Sequence, residues 1–279
     1  MAAVDLLTSD EPEVAWQVVG AAVQGVSHLR QGLPCQDAVE YRSLEGGVLL
    51  VALADGAGSA DHADLGARQA VETAMGWIST GLESGLPEEC CAWHELFWEA
   101  FESSRQALEQ LAEETGEPLR SLATTLTCAA VTADRLVVGQ IGDGVVVARD
   151  GDGSLFTVTR SQRGEYVNET NFLTQDDALE QVVVQLIDQP VQALAVMSDG
   201  LMRLALKMPS SEPHLPFFQP LFAFVESIAA SSAELASGKL ESFLGSERVC
   251  KRTDDDKALV LAIRSTVEAS PGIDQPGTE

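Results

Sequence analysis

The chain has 279 residues, 45% of them hydrophobic, enough for a substantial core. Lys plus Arg number 17 against 43 Asp plus Glu, a formal net charge of −26, which argues against nucleic acid and anionic membranes as partners. No apolar run approaches the roughly 18–20 residues that cross a bilayer, and the acidic N-terminus lacks the basic start of a secretory signal. Five cysteines without a CxxC pair fit reduced thiols in the cytoplasm, not a disulfide frame or a zinc site.

Residues 1–13 are acidic and aperiodic, a loose lead-in. Trp16 to Val26 is a predicted strand, and Ser27 to Gln36, with Gly32 and Pro34, a predicted loop. Asp37 to Ser43 and Val48 to Ala54 are further strands about a Gly46-Gly47 turn. The second is apolar at every position, as expected of a strand covered on both faces. Asp61–Thr80 and Cys90–Glu114 carry apolar residues at helical spacing.

Strands are expected at Thr124–Val131, Leu136–Gly142, Val145–Arg149 and Ser154–Thr159, with Asp134-Arg135 and the DGDG run from Asp150 as hairpin turns. Ser161 to Asp177 is polar, a long surface loop. Val182–Leu186 and Ala193–Met197 are strands, Phe217–Ile228 and Ala233–Leu244 helices, and Lys257–Arg264 the last strand. The tail, rich in Pro and Gly, is expected to be disordered. Strands and helices in separate blocks argue for an α+β fold of antiparallel sheets faced by helices. With no repeat or linker in view, residues 14–266 are expected to form one domain, with 1–13 and 267–279 as loose termini.

Four apolar runs meet aspartate at one end: Asp55-Gly56, Asp143-Gly144, Asp199-Gly200 and the acidic run Asp254–Asp256. Charges at the mouths of buried strands are costly unless paired, so if the four converge, either some protonate or a cation binds, metal ions being the expected partner. An all-oxygen site selects a hard cation such as Mg²⁺ or Mn²⁺. Asp134, Asp150 and Asp152 read as ordinary turn residues. His28, His62, His94 and His214 show no metal-binding spacing, and Ser198 lacks the GxSxG elbow of a nucleophilic serine.

Six motifs stand in order along the chain: QDA from Gln36, ADGAG from Ala54, ATTL from Ala123, IGDG from Ile141, SDG from Ser198 and DDKALVLA from Asp255. Together they resemble the protein phosphatase 2C family of metal-dependent Ser/Thr phosphatases, in particular its compact bacterial branch. The resemblance implies an αββα sandwich, two antiparallel sheets flanked by helix pairs. It also implies two Mn²⁺ or Mg²⁺ ions. Asp55 would bridge them, the Gly56 carbonyl would join one, and Asp199 and Asp255 would complete the other. Asp37 would act mainly through metal-bound water, and Asp143 with Asp199 would hold a third, weaker ion. A metal-bridging water would attack phosphorus directly, with no phosphoenzyme.

The catalytic set so implied is Asp37, Asp55, Asp199 and Asp255. The substrate would be a phosphorylated protein, with the enzyme opposing a Ser/Thr kinase. The family's phosphate-binding arginine would correspond to Arg30, with His28 as its rival. Thr124 and Thr125 match a buried structural segment. Ala57 stands where eukaryotic members carry a histidine proposed as general acid. Arg160 to Thr174 falls at the family's variable flap, where Arg163 could meet a phosphoprotein. The substituted histidine leaves open a second reading, a pseudophosphatase that binds phosphoproteins without turnover.

Overall fold

The computed structural model describes residues 13–159, 170–228 and 233–267. The N-terminal lead-in, the C-terminal tail and most of the polar loop, Arg163 included, lie outside the described residues.

Five strands form one antiparallel sheet in the order β1, β12, β9, β6, β7. These are β1 (Glu13–Val23), β6 (Val145–Asp150), β7 (Leu155–Thr157), β9 (Val191–Met197) and β12 (Lys257–Val267). The second sheet runs β2, β3, β4, β5, β8, again antiparallel. Its strands are β2 (Asp37–Leu44), β3 (Val48–Asp55), β4 (Leu126–Val131), β5 (Leu136–Ile141) and β8 (Val183–Ile187). Between β1 and β2 lies a short helix, α1 (Val26–Gln31). Two long helices, α2 (Ala63–Glu83) and α3 (Cys90–Thr115), connect β3 to β4. After β9 come α4 (Met202–Ala205), a small β10–β11 ribbon (Leu206–Lys207 with Glu212–Pro213), α5 (Leu215–Glu226), α6 (Ala233–Leu244) and α7 (Glu247–Cys250).

The unbroken apolar run of β3 explains the layering. Side chains alternate between faces of a strand, so each face of β3 needs its own apolar partner. Leu49, Val51 and Leu53 point into the space between the sheets, where they join Val146, Val196 and Val260. Leu50, Ala52 and Ala54 point the other way, into the layer with Met75, Phe97 and Phe101 of α2 and α3. The other sheet repeats the device: Met197, Leu259 and Leu261 face Phe218, Phe222 and Leu240 of α5 and α6. Three apolar layers therefore separate four layers of structure, the expected αββα sandwich.

Most element ends differ from expectation by one to three residues, and the largest change lies between the first two strands. The first strand ends at Val23, not Val26, and the predicted loop from Ser27 contains α1. Six residues are too few to show a helical period, and Gly32 and Pro34 read as breakers. Gly32 ends the helix, with φ of 72°, and donates back to carbonyls of α1.

Helix α2 approaches the segment before β4 so closely that a Cβ on Gly66 would lie 2.1 Å from the Leu122 carbonyl oxygen. In an open helix Gly66→Ala would gain about 1 kcal/mol of propensity. Here the backbone clash outweighs that gain, and a net loss of about 1–3 kcal/mol is expected. Urea denaturation monitored by circular dichroism measures it; a stabilised variant would show that α2 sits further from Leu122.

Candidate metal centre

Antiparallel pairing sets Asp37, the first residue of β2, opposite Asp55, the last of β3. On the other sheet β9 and β12 pair through Met197 and Leu259, so Asp199, beyond the end of β9, and Asp255, before the start of β12, come to the same edge. Asp143 sits in the turn between β5 and β6, where the chain crosses from one sheet to the other. The two sheets thus deliver their acids to a single end of the sandwich.

The charges of these groups act on one another. Asp37 is buried, and that burial pushes its carboxyl well above the usual carboxylate range. The Ser198 hydroxyl opposes the shift, and the charges of Asp256, Asp199 and Asp255 add to it. Burial likewise raises Asp55, reinforced by Asp37, Asp199, Asp143 and Asp255. Asp199 is pushed up to about 6, first by burial and then by Asp143 and Asp255; a hydrogen bond with Asp55 and the charge of Arg203 relieve it in part.

Each acid is held by its local structure. Ser198 Oγ donates to Asp37 Oδ2 at 2.7 Å and accepts the Ala258 N–H at 2.9 Å, tying β2 to β12. The other oxygen, Asp37 Oδ1, is buried with no hydrogen-bond partner. The Asp55 N–H donates to Thr125 Oγ1 at 3.0 Å, and the Asp55 carbonyl accepts from Thr124 Oγ1 at 3.1 Å and from the Thr125 N–H at 2.8 Å. The threonine pair is therefore a backbone clamp, in its expected structural role. Gly56 follows in a bridge to Thr124 and donates to the Gln36 carbonyl at 3.0 Å. Asp143 Oδ2 accepts from Thr170 Oγ1 at 2.9 Å.

The acidic run before β12 divides its labour. Asp255 is exposed at the site, whereas Asp256 is buried and turned the other way. Asp256 accepts the Gly25 N–H at 2.5 Å, the Gln36 N–H at 2.6 Å and a bond from His28 Nδ1 at 2.9 Å. Lys257 is wholly buried, and its Nζ donates to the Asp255 carbonyl at 3.0 Å. A Cβ on Gly200 would fall 2.0 Å from the Asp256 carbonyl oxygen, so only glycine lets the Asp199 turn lie against this segment.

Of the two phosphate-binding candidates, His28 is buried against Asp256, with its Nε2 toward Gly58 of the loop after β3. Arg30 is exposed in the last turn of α1. Two residues along a helix is a rotation of about 200°, so Arg30 points away from the side that His28 presents to the site. Ala57 is buried, its N–H donating to the Ala123 carbonyl at 2.8 Å.

Sequence reasoning missed three contributors: Ser198, Asp256 and Lys257. The partners of Ser198 and Asp256 lie far away in sequence, so the acidic run alone could not tell Asp255 from Asp256.

Among the described residues no three His, Cys, Asp or Glu side chains close into a ready-made cage. Mg²⁺ and Mn²⁺ keep several of their own waters and take few protein ligands. The unpartnered Asp37 Oδ1 and the mutual repulsion of the cluster both fit a bound cation.

The raised carboxyls have a consequence for stability. An unfolded aspartate titrates near about 3.9. Asp199 in the fold titrates near 6, and Asp37 and Asp55 are also raised, so the folded state holds protons that the unfolded state has released. Their stabilisation is complete below the unfolded value and is lost as pH rises through the folded ones. In chelator, the melting temperature should fall between about pH 4 and pH 6 and beyond as these groups ionise. Mn²⁺ should raise it more at pH 7 than at pH 5, because protons and metal compete for the same oxygens. Coincident melting curves in chelator and in Mn²⁺ at pH 7 would remove the case for a metal centre.

The chain is similar to known proteins in sequence and in fold. The family model described as protein phosphatase 2C matches residues 24–245. Serine/threonine-protein phosphatase 3 of Escherichia coli (strain K12) is 35% identical over 254 residues, spanning 90% of this chain and 99% of that protein. The serine/threonine phosphatase Stp1 from Staphylococcus aureus superposes with a TM-score of 0.58 at 14% identity, over 94% of this chain and 99% of that one. The catalytic domain of the serine threonine protein phosphatase PstP, solved with two manganese ions, gives 0.56 at 16% identity, over 90% and 99%. From motif order, acid geometry and these matches together, the chain belongs to the protein phosphatase 2C family and is a metal-dependent protein phosphatase.

Proposed function

We propose that the chain hydrolyses phosphoserine and phosphothreonine in proteins, opposing a Ser/Thr kinase, with residues 14–266 as one catalytic unit. The convergence of Asp37, Asp55, Asp143, Asp199 and Asp255 from both sheets on one edge carries this reading. Asp55, the Gly56 carbonyl, Asp199 and Asp255 would hold two divalent ions, Mn²⁺ or Mg²⁺. Asp37 would act through their water, and Asp143 would serve a third ion. When bound, such a pair lowers the pKa of water to make a nucleophile and neutralises the phosphoryl oxygens.

The chain's own groups then position and stabilise. Ser198 holds Asp37 through Oδ2 and leaves Oδ1 buried without a partner, available to a cation or its water. The Thr124–Thr125 clamp prevents Asp55 from swinging away from its neighbours. Asp256 pins α1 and the start of β2 to the loop that bears Asp255. Through that brace His28 is oriented toward the loop after β3, and in its imidazolium form Nε2 can donate to a phosphoryl oxygen. His28, not Arg30, is therefore our phosphate-contacting residue. With Ala57 in place of a histidine, the leaving alkoxide must take its proton from water. Five free cysteines fit a reducing cytoplasm, and no described helix is long and apolar enough to cross a membrane.

The test is Mn²⁺-dependent release of phosphate from an aryl phosphate and from phosphothreonine peptides. Asp199→Asn and Asp55→Asn should each lose about 100-fold or more of kcat, since each removes charge that must face the reacting phosphoryl group. Phosphopeptide binding by the wild type without any metal-dependent turnover would replace this reading with that of a pseudophosphatase.

A further inference from the structure

In a chain with 43 acidic residues and 17 basic ones, a cation is expected to have a carboxylate close by. One cleft breaks that expectation. It encloses about 590 Å³ on the helical side of the β1-β12-β9-β6-β7 sheet, among α4, α5, α6 and α7. Arg203, Lys239, Arg248 and Arg252 stand around it, and no carboxylate is among the described residues that line it. Among the described residues, none of the four makes an ion pair within 4.0 Å. Four of the 17 basic side chains of the whole protein therefore share one cleft without an ion pair among the described residues.

The floor of the cleft is apolar. Leu240 and Val249 close it from the core, while Phe224 and Phe243 remain half-buried along it. A volume of this size takes one or two large side chains, and half-covered aromatic walls gain from having them covered. All four cations are exposed, on or just after three separate helices around the rim. Cations borne by three separate helices around an apolar floor suit several carboxylates spaced along an extended chain.

The cleft also adjoins the metal centre. Arg203 lies four residues beyond Asp199, and its charge is felt there. Arg252 lies three residues before Asp255. A molecule in the cleft is thus within a few residues' reach of both acids. The overall charge of −26 repels a phosphorylated, acidic partner, and a local block of cations is the physical remedy for that repulsion.

We infer that this cleft docks an acidic segment of the phosphoprotein substrate, seating one bulky apolar side chain between Phe224 and Phe243 with flanking carboxylates on Arg203, Lys239, Arg248 and Arg252. The inference rests on the phosphatase reading above and adds a substrate class to it: phosphoproteins with an acidic, apolar-centred segment near the phosphoresidue.

The experiment compares two phosphothreonine peptides, one plain and one extended by a glutamate-rich stretch with a central phenylalanine. Each is assayed with Mn²⁺ against wild type, the double variant Lys239→Glu/Arg252→Glu, and Phe243→Ser. Aryl phosphate serves as the cleft-independent substrate. For wild type the extension should lower KM about tenfold with kcat little changed, and raising the salt should erase part of the gain. Both variants should lose the advantage and keep aryl phosphate turnover. The charge-reversed side chains are exposed, so the double variant tests the cleft even if Phe243→Ser misfolds.

Polarisation of the labelled, unphosphorylated extension reads the cleft without any turnover. It should show binding to wild type that is about tenfold weaker in the double variant. Absence of aryl phosphate turnover in the wild type would sink the phosphatase reading and leave the polarisation result to judge the cleft. Equal KM for the two peptides and no polarisation change would overturn the docking inference and leave the phosphatase reading intact. Sodium dodecanoate that binds the cleft while the acidic peptide does not would overturn it too, in favour of a small amphiphile.

Discussion

Repulsion among carboxylates at one edge of a double sheet is the constraint that organises this molecule. Like charges a few ångströms apart cost several kcal/mol even in a partly polarisable interior. Once ionised, the cluster opposes folding without a cation, so it must be imposed by structure that has its own reasons to form. Those reasons are the three apolar layers. Each Val, Leu or Phe sealed within them contributes about 1.5–3 kcal/mol, and dozens are sealed. The acids lie at the ends of the strands that supply those layers. They are carried to the edge because Leu53, Met197 and Leu259 are drawn inward. The charged end of each strand is a by-product of its apolar body.

Within that edge, acids identical in chemistry differ in satisfaction. Asp256 receives two backbone N–H groups and His28, and its charge is spent on holding α1 and β2 in place. Asp37 receives a single hydroxyl and keeps a buried oxygen with no partner. A satisfied buried carboxylate braces a structure, and an unsatisfied one asks for a ligand. The brace is what allows the unsatisfied group to persist. Asp256 ties α1 and the residue before Asp37 to the start of β12, and Ser198 links Asp37 to β12. Neither sheet can shift to relieve the repulsion without breaking those bonds.

Much of this is legible in the chain itself, for definite physical reasons. Runs such as VLLVALAD have no polar face, which forces a strand covered on both sides, and the blocks of helix and strand force the α+β order. The acids of the centre stand out because a charge at the end of a buried run is costly unless a positive partner meets it. What stays hidden depends on contacts distant in sequence. Nothing near Ser198 announces a bond to Asp37, 161 residues away, and nothing near His28 announces Asp256. Helix α1 is too short to show a period and is held from outside by Asp254 and Asp256. Arg30 and His28 could not be ranked until that helix fixed which way each points.

The same logic joins the metal centre to the basic cleft. Both draw on two short stretches, 199–205 and 247–257, each of which carries an acid at one end and a cation a few residues away. Leu201 and Ala205 in the first, and Val249 in the second, are buried in the layer under the first sheet. Those anchors fix the position of Asp199 and Asp255 relative to Arg203, Arg248 and Arg252. The backbone of both stretches is held from below by apolar side chains, while the arginines remain exposed and the charge of Arg203 still reaches Asp199. Rigid packing beneath both stretches is what keeps two oppositely charged sites distinct across a few residues of backbone.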